Sequence, residues 1–365
     1  MDLERFAGPL SIRPLPLTVA LLTSSILACE DPGIPQSLHY DGDHLEVWAS
    51  DGLQACEGTF PYMEAWLSAF RERVGRSDSS VRHTFYWLSP EEFEASPCRD
   101  DVAACAFPRS DVIYSSVAPI EHELVHTEIE GSPSSLLREG AAEVFGSAGY
   151  YDVTSSASIE DLADERQIPG LDYQTAGRFS RVLIDRFGVD AYLDLYLGLD
   201  GVEGLAGLEA GVAEILGADL SSLVADFDQH RTCRQEAWRF YDLECSALPL
   251  VPWQDPDRWS TTVDLACDAP DVIGPRSDTV WARRALHIPE TDRYTMSIES
   301  DDPSAVVTIS SCNAACVPAD EPMVVMIPAA TVTRPTTLEL APGRHWLRMK
   351  HSADTDAPVT IRIER

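Results

Sequence analysis

The spacing of apolar residues divides the chain into two parts near residue 250. Before that point, short alternating runs predict strands, and apolar residues then recur at helical spacing, as in Met63, Trp66, Phe70 and Val74. Strands are predicted at 44–49, 84–88 and 112–114, and later helices at 159–166, 175–187, 189–198, 205–216 and 219–230.

After residue 250, short runs alternate between apolar and polar residues, which is typical of strands in a β-sandwich. These runs lie at 294–298, 305–309, 337–340, 345–349 and 359–363. The pattern therefore predicts an α+β domain followed by an all-β sandwich domain.

A chain of 365 residues is long enough for two domains with separate cores. The predicted order is a lipoprotein signal peptide at 1–28, a tether at 29–42, an α+β domain at 43–247, a linker at 248–262 and a β-sandwich at 263–365. The proline-containing stretch 248–256 has an alternative interpretation as a strap packed on a domain.

The apolar run at 15–29 is too short to be a permanent membrane anchor and is typical of a secretory signal. Its last residues, I-L-A-C at 26–29, resemble a bacterial lipobox, in which cleavage leaves a lipid on the cysteine, here Cys29. The expected location is the bacterial cell envelope, either the outer membrane and periplasm or the cell surface. Ordinary signal cleavage and secretion remain the alternative.

The chain has nine cysteines, so eight can form disulfides if Cys29 carries a lipid. That number and the export signal fit an oxidising compartment. Short loops favour Cys98 with Cys105, Cys233 with Cys245 and Cys312 with Cys316, although other connectivities stay open. A zinc role for these cysteines is disfavoured because no paired C-x-x-C spacing occurs.

The net charge of −33 disfavours nucleic acids and anionic membrane surfaces as partners. Membrane contact is therefore expected only through the lipid at Cys29. The charge does not determine the oligomeric state, and it is typical of a solvated acidic surface.

The sequence H-E-L-V-H at 122–126 carries the most specific chemistry in the chain. On a helix, residues four apart share a face, so His122 and His126 can bind one zinc ion while Glu123 serves as the base for a water molecule. A polar surface helix is the alternative interpretation of the motif alone.

Glu139 follows thirteen residues after His126, in a Leu- and Ala-rich segment at 136–143 that predicts a second helix. The intervening loop at 131–135 contains Gly, Pro and a Ser able to cap that helix. A helical hairpin would bring Glu139 to the two histidines as third ligand to one Zn²⁺, with a fourth position open for water. Glu143, one turn later, would accept a hydrogen bond from a zinc-binding imidazole.

These residues resemble the gluzincins, the clan of thermolysin and aminopeptidase N, and most closely its bacterial "peptidase MA-like" members. That family has H-E-x-x-H followed by E-G-x-A-E, matched here at 122–126 and 139–143. The resemblance implies the same ligands and the same base. It also implies that Tyr173, which begins a Tyr-x-x-small-Gly element, stabilises an oxyanion, although an ordinary half-buried tyrosine is the alternative. Tyr150, Tyr151 and His230 are further candidates for that role.

The resemblance covers about residues 40–230 and departs from the family in two ways. The amine-binding motif Gly-x-Met-Glu-Asn of the aminopeptidases is absent, and the nearest string, at 62–65, does not match, which favours an endopeptidase. The spacing between His126 and Glu139 is also shorter than in the aminopeptidases. Separately, residues 338–347 resemble the strand, turn and strand of a pre-peptidase C-terminal domain, a type of module expected to stabilise the protein or tether its substrate.

The sequence is compatible with three hypotheses. In the first, the chain is an envelope-bound zinc metallopeptidase that hydrolyses a peptide or protein substrate. In the second, it is a catalytically inactive lipoprotein with this fold that acts in binding or adhesion, with recognition by the sandwich. In the third, the His and Glu pattern is coincidental and the protein is a structural component of the envelope.

Overall fold

A computed structural model describes residues 35, 37–99, 102–129, 132–146, 157–166, 172–199, 203–229, 243–276, 278–312, 325–328 and 335–365. In these ranges the chain has mixed α/β structure with several β-sheets and a sandwich-like C-terminal region. The predicted sequence of an α+β part followed by a β-rich part is confirmed at this level.

The first sheet precedes the H-E-L-V-H segment and has the strand order β1-β2-β3-β5-β4. Its strands are β1 (Ser37–Asp41), β2 (Leu45–Ala49), β3 (His83–Trp87), β4 (Ala104–Phe107) and β5 (Val112–Ser115). The inner pairs β2–β3 and β3–β5 are parallel, whereas β1 and β4 are antiparallel edge strands. In β2 and β3 every second residue is buried, which fixes the face of the sheet that carries the core.

The helices in the described ranges are α1 (Thr59–Arg73), α2 (Pro90–Glu94), α3 (Glu121–Glu128), α4 (Ser135–Gly146), α5 (Ile159–Asp164), α6 (Tyr173–Phe187), α7 (Val189–Gly198), α8 (Gly204–Ile215) and α9 (Leu220–Gln229). A short 3₁₀ turn at Pro108–Ser110 joins β4 to β5. Helix α3 contacts α1, α4 and the strands β4 and β5, and α4 also packs on α6. The candidate metal ligands therefore lie on helices that one continuous apolar core supports.

The C-terminal part contains two antiparallel sheets, with the orders β11-β10-β13-β8-β7 and β12-β9-β14-β6. The strands are β6 (Arg258–Val263), β7 (Ile273–Arg276), β8 (Thr279–Ile288), β9 (Asp292–Glu299), β10 (Val306–Ser311), β11 (Val325–Pro328), β12 (Thr336–Leu340), β13 (Gly343–Ser352) and β14 (Val359–Glu364). Alternate residues of both sheets, among them Val307, Met349 and Ile361, form a second apolar core.

Two predicted domain boundaries need correction. Strand β1 lies inside the range 29–42 that the sequence predicts as a tether, because its mostly exposed edge position leaves no apolar pattern to detect. Strand β6 begins at Arg258, inside the predicted linker at 248–262. The residues before it are packed rather than free, since the backbone N–H of Val251 donates to the carbonyl of Ala285 at 2.8 Å. The alternative of a packed strap describes this stretch better.

The segment that leads into α1 is attached to the sandwich by a disulfide and by hydrogen bonds. Cys56 forms a disulfide with Cys267, and the N–H of Gly58 donates to the carbonyl of Val272 at 2.9 Å. The hydroxyl of Thr59 donates to the carbonyl of Gly274 at 2.9 Å. The helical part and the sandwich are therefore joined by covalent and backbone contacts as well as by the chain itself.

Three disulfides lie within the described ranges, namely Cys56–Cys267, Cys98–Cys105 and Cys245–Cys312. The prediction for Cys98 and Cys105 is confirmed. The predictions of Cys233 with Cys245 and of Cys312 with Cys316 are wrong, because Cys245 and Cys312 pair with each other. Their segments meet in the fold, where Arg344 donates to the carbonyl of Leu248 and the N–H of Cys312 donates to the carbonyl of Arg344.

The disulfides are consistent with an exported, non-cytoplasmic protein. None of the helices in the described ranges combines the length with the apolar character that a membrane span requires. Cys29, the predicted lipid attachment site, lies outside the described residues.

Candidate metal centre

The two histidines of the H-E-L-V-H segment lie on helix α3, one turn apart. Their ring centroids are separated by 4.9 Å, and their side chains are 12 % and 11 % exposed. The helix has only eight residues, so the motif occupies most of its length. Its i, i+4 spacing places both imidazoles on one side, as the sequence predicts.

Helix α4 brings a carboxylate to these imidazoles. Oε2 of Glu139 lies 3.4 Å from Nε2 of His122 and 3.3 Å from Nε2 of His126. One ligand atom from each of the three residues lies within 4.8 Å of the others. A tetrahedral zinc ion with bonds of about 2.0–2.1 Å holds its ligand atoms about 3.3–3.4 Å apart, which matches the two distances from Glu139 to the imidazoles.

Two glycines allow the helices to approach this closely. A Cβ atom on Gly146, at the end of α4, would lie 2.6 Å from the backbone N of His122. A Cβ atom on Gly140, beside Glu139, would lie 2.7 Å from the carbonyl O of Ala176 on α6. Since both contacts are with backbone atoms, any side chain at these positions would force the helices apart. The glycine of the E-G-x-A-E segment thus has a packing role.

Glu143 lies on the far side of the first imidazole. Its Oε1 is 3.2 Å from Nδ1 of His122, and the side chain is 4 % exposed. A carboxylate at this position fixes which ring nitrogen carries the proton and which one is free to bind a metal. By contrast, Nδ1 of His126 is buried and has no hydrogen-bond partner among the described residues.

The imidazoles and carboxylates of the cluster shift each other's pKa values. Burial lowers the pKa of His122, but its hydrogen bonds with Glu139 and Glu143 outweigh burial and raise that pKa well above the usual value. Burial likewise raises the pKa of Glu139, and the two histidines outweigh it and hold that pKa far below its usual range. Without a metal, the cluster is a partly exposed, hydrogen-bonded group of imidazoles and carboxylates. A metal ion and protons would compete for the same imidazole nitrogens.

Tyr173, the first residue of α6, lies beside the cluster. Its ring stacks on that of His122 with a centroid distance of 5.8 Å and an interplanar angle of 22°. Burial, followed by the negative charges of Glu139 and Glu123, raises the pKa of Tyr173. The phenol therefore stays protonated at neutral pH and is able to donate a hydrogen bond.

Glu123 lies on α3 between the two histidines in sequence, and 9 % of the residue is exposed. Its negative charge contributes to the raised pKa values of both His122 and Tyr173. The carboxylate is therefore close to the ligands and to the phenol. The other candidates for oxyanion stabilisation, Tyr150, Tyr151 and His230, lie outside the described residues.

Several further residues on helices α3 and α4 were not predicted from the sequence. Nε of Arg138 lies 3.5 Å from Oε1 of Glu139, opposite the face that meets the histidines. The first and last residues of α3, Glu121 and Glu128, are almost completely buried. The sequence did contain a signal for these two residues. Acidic residues seven positions apart on a short helix are two turns apart and share one face of that helix.

No known protein family matches the sequence, and no curated protein matches it. Aminopeptidase A of Legionella pneumophila, solved in complex with aspartic acid, is 9 % identical over 86 % of this chain and 35 % of its own, with a TM-score of 0.35. The pre-peptidase C-terminal domain of a collagenase from Bacillus anthracis is 7 % identical over 32 % of this chain and 93 % of its own, with a TM-score of 0.24. The lysozyme inhibitor PliG of Aeromonas hydrophila is 10 % identical over 32 % of this chain and 95 % of its own, with a TM-score of 0.21.

TM-scores this low do not establish a family or a function for this chain. The resemblances to gluzincins and to the pre-peptidase C-terminal domain therefore remain predictions from the sequence.

Proposed function

We propose that the chain is a zinc-dependent metallopeptidase, and specifically an endopeptidase. The observation that supports this most strongly is the convergence of His122, His126 and Glu139, whose ligand atoms lie within 4.8 Å of one another. Two imidazoles and one carboxylate form a ligand set that catalytic zinc sites use while keeping one position open for water. Helices α3 and α4 pack on each other and bring these three side chains together, which supports the proposal.

In this proposal the ion is held by His122, His126 and Glu139. When bound, zinc polarises a water molecule and the carbonyl group of the substrate. Glu123 takes a proton from the attacking water and delivers it to the leaving amine. Tyr173, which stays protonated, donates a hydrogen bond to the oxygen on which negative charge develops. Glu143 accepts a hydrogen bond from Nδ1 of His122 and so keeps Nε2 available for the metal.

Two observations favour cleavage of internal peptide bonds over removal of terminal residues: a motif that the sequence lacks and a hydrogen bond of Glu64. The sequence lacks the Gly-x-Met-Glu-Asn motif of aminopeptidases. The acidic residue of the nearest string, Glu64, is engaged elsewhere, since its Oε1 accepts a hydrogen bond from the backbone N–H of His44 at 2.6 Å. This segment therefore gives no support to an aminopeptidase.

The proposed setting is the bacterial cell envelope, with a lipid on Cys29 as the attachment to the membrane and with a peptide or protein as substrate. The disulfides support export, and the I-L-A-C sequence at 26–29 supports lipidation. The strongly negative charge argues against nucleic acid as a partner. Cell fractionation tests the attachment, because a Cys29→Ser variant should move from the membrane fraction to the soluble fraction. An unchanged distribution would contradict lipidation.

The activity is tested by comparing the wild-type chain with Glu123→Gln and with Glu209→Gln, a control at an exposed position on α8. Using a mixed peptide library and supplied zinc, we expect Glu123→Gln to cleave about 10²–10⁴-fold more slowly than wild type and to bind as much zinc. Glu209→Gln should match wild type, and cleavage should occur within the peptides. Equal cleavage by Glu123→Gln would contradict the mechanism. Zinc binding without cleavage by wild type would favour the binding lipoprotein instead.

A further inference from the structure

The first residue of helix α3, Glu121, is a carboxylate that faces away from the candidate metal centre. It is 2 % exposed, and it directly precedes His122. The hydroxyl of Tyr62, on α1, donates a hydrogen bond to its Oε1. The beginning of the helix that carries the ligands is thus attached to a buried polar group on a neighbouring helix.

Tyr62 also connects Glu121 to a second buried carboxylate. Its hydroxyl oxygen is 2.9 Å from Oε1 of Glu244, a residue that is 5 % exposed. A phenol has one proton, so the hydroxyl donates to one of the two carboxylates at a time. A positive charge close by stabilises buried carboxylates, because burying charge is otherwise costly.

Arg283 provides positive charge at this place. Its NH1 forms an ion pair with Oε2 of Glu244, and its guanidinium carbon lies 4.2 Å from the centroid of the Tyr62 ring. The guanidinium therefore holds Glu244 by charge and Tyr62 by a cation–π contact. Arg283 belongs to β8, a strand of the C-terminal sandwich. A continuous series of contacts thus runs from the sandwich to the first residue of α3.

The other end of α3 is held within the helical part. The carboxylate of Glu128 accepts a hydrogen bond from Nε of Arg71 at 2.9 Å and lies 3.0 Å from Nε2 of His83. Glu121 and Glu128 are two helical turns apart and lie on the same face. The two ends of the ligand helix are therefore anchored through similar buried carboxylates, but the beginning of the helix depends on a residue from the sandwich.

We propose that Arg283 is a positioning residue of the metal centre, acting through Glu244, Tyr62 and Glu121 on the position of His122. This inference rests on the proposed metal site. It gives the sandwich a specific role, which is to complete the support of α3. That role goes beyond the stabilising or substrate-tethering module that the sequence predicts.

The test uses full-length Tyr62→Phe, Arg283→Met and Arg283→Lys. The control is Arg362→Met, which removes an exposed ion pair with Glu299 elsewhere on the sandwich. Hydrogen exchange of the metal-free proteins reports on residues 121–128, and titration reports zinc affinity. We expect Tyr62→Phe and Arg283→Met to raise exchange in 121–128 and to weaken zinc binding, each by about tenfold, with α6 unaffected. Arg283→Lys, which keeps the charge against Glu244, should lie between wild type and Arg283→Met, and the control should match wild type.

A merely structural role for these contacts would lower the melting temperature without a selective change in residues 121–128 or in zinc affinity, and that result would overturn the proposal. Tyr62→Phe keeps the ring and removes only the hydroxyl, so it tests the network even if Arg283→Met fails to fold. The exchange measurement needs no metal. If wild type bound no zinc, the proposed function would fail, while exchange in 121–128 would still decide whether the sandwich positions α3.

Discussion

Both parts of the molecule bury histidines, and their surroundings differ. In the helical part, His122 lies between the carboxylates of Glu139 and Glu143, which raise its pKa. In the sandwich, Nδ1 of His345 lies 3.2 Å from the carbonyl O of Gly343, and burial lowers the pKa of that imidazole. Nδ1 of His351 is likewise 2.6 Å from a backbone carbonyl, that of Ser352.

The difference shows what distinguishes a candidate metal centre from structural histidines. Burial is common to both regions. Only the pair on α3 is joined, within the described residues, by a carboxylate from a second helix that reaches both imidazoles. Convergence of three ligand atoms, rather than burial of a histidine, is thus the observation that points to metal chemistry.

We expect the largest functional difference between the two regions at a pair of tyrosines. Tyr173 stacks on His122, whereas Tyr294 of the sandwich donates a hydrogen bond to the carbonyl of Glu290 at 2.9 Å. We expect Tyr173→Phe to lower kcat about 10²–10³-fold with zinc content unchanged, because the donor to the developing oxyanion is lost. Tyr294→Phe should leave kcat unchanged. Steady-state kinetics on one peptide substrate measure both, and equal kcat for Tyr173→Phe and wild type would remove Tyr173 from the mechanism.

A smaller effect is expected from the carboxylates beside the histidines. Glu143→Gln should weaken zinc binding about 10–100-fold, because Nδ1 of His122 loses its charged acceptor. The matched control in the sandwich is Asp302→Asn, because Asp302 is also a carboxylate beside a histidine. Its Oδ2 lies 3.8 Å from Nδ1 of His351. Zinc titration with a competing chelator measures the affinities. If both substitutions weakened zinc binding, or if neither did, the proposed difference between the two regions would be contradicted.

The smallest effect is a pH dependence confined to the sandwich. Burial raises the pKa of Asp302, but hydrogen bonds from the hydroxyl of Thr355 and the N–H of Ser304, at 2.6 and 2.7 Å, outweigh it and lower that pKa below its usual value. A lowered pKa in the folded state stabilises the fold above the unfolded pKa of about 3.9. That contribution is lost as the pH falls through the folded pKa.

Urea unfolding of wild type and Asp302→Asn between about pH 3 and pH 7 measures this contribution. The stability advantage of wild type should be constant near neutral pH and should shrink below about pH 4. As a control, Asp356→Asn at an exposed position should leave the free energy of unfolding near neutral pH unchanged. An advantage that does not depend on pH would show that Asp302 acts through packing alone.

Much of the helical part could be predicted from the sequence because its signals are local. The i, i+4 histidines predict α3, and a loop with Pro and Ser predicts α4, where Ser134 Oγ accepts from the N–H of Leu137 at 3.4 Å. Predicted helices at 175–187 and 189–198 overlap α6 and α7 closely. On α6 and α7 the buried face is mostly apolar, whereas α3 also buries Glu121, Glu123 and Glu128.

The remainder depends on contacts between distant segments. Strand β8 was not predicted because Arg283 and Arg284 interrupt its apolar alternation, although Arg283 is largely buried against Glu244. The pairing of Cys245 with Cys312 was not predicted because loop length does not reveal which segments meet in the fold. The contacts of Tyr62 with Glu121 and Glu244 join residues 59 and 182 positions apart, and no local pattern indicates them.

We propose that a zinc site forms at His122, His126 and Glu139 and that the histidines of the sandwich form no such site. Metal analysis of the purified wild-type chain, His122→Ala, Glu139→Ala and His351→Ala, all prepared without added zinc, tests this claim most directly. We predict one zinc per chain in wild type and in His351→Ala, and a clear loss in His122→Ala and Glu139→Ala. Equal metal content in all four folded proteins, whether none or one ion, would contradict the claim.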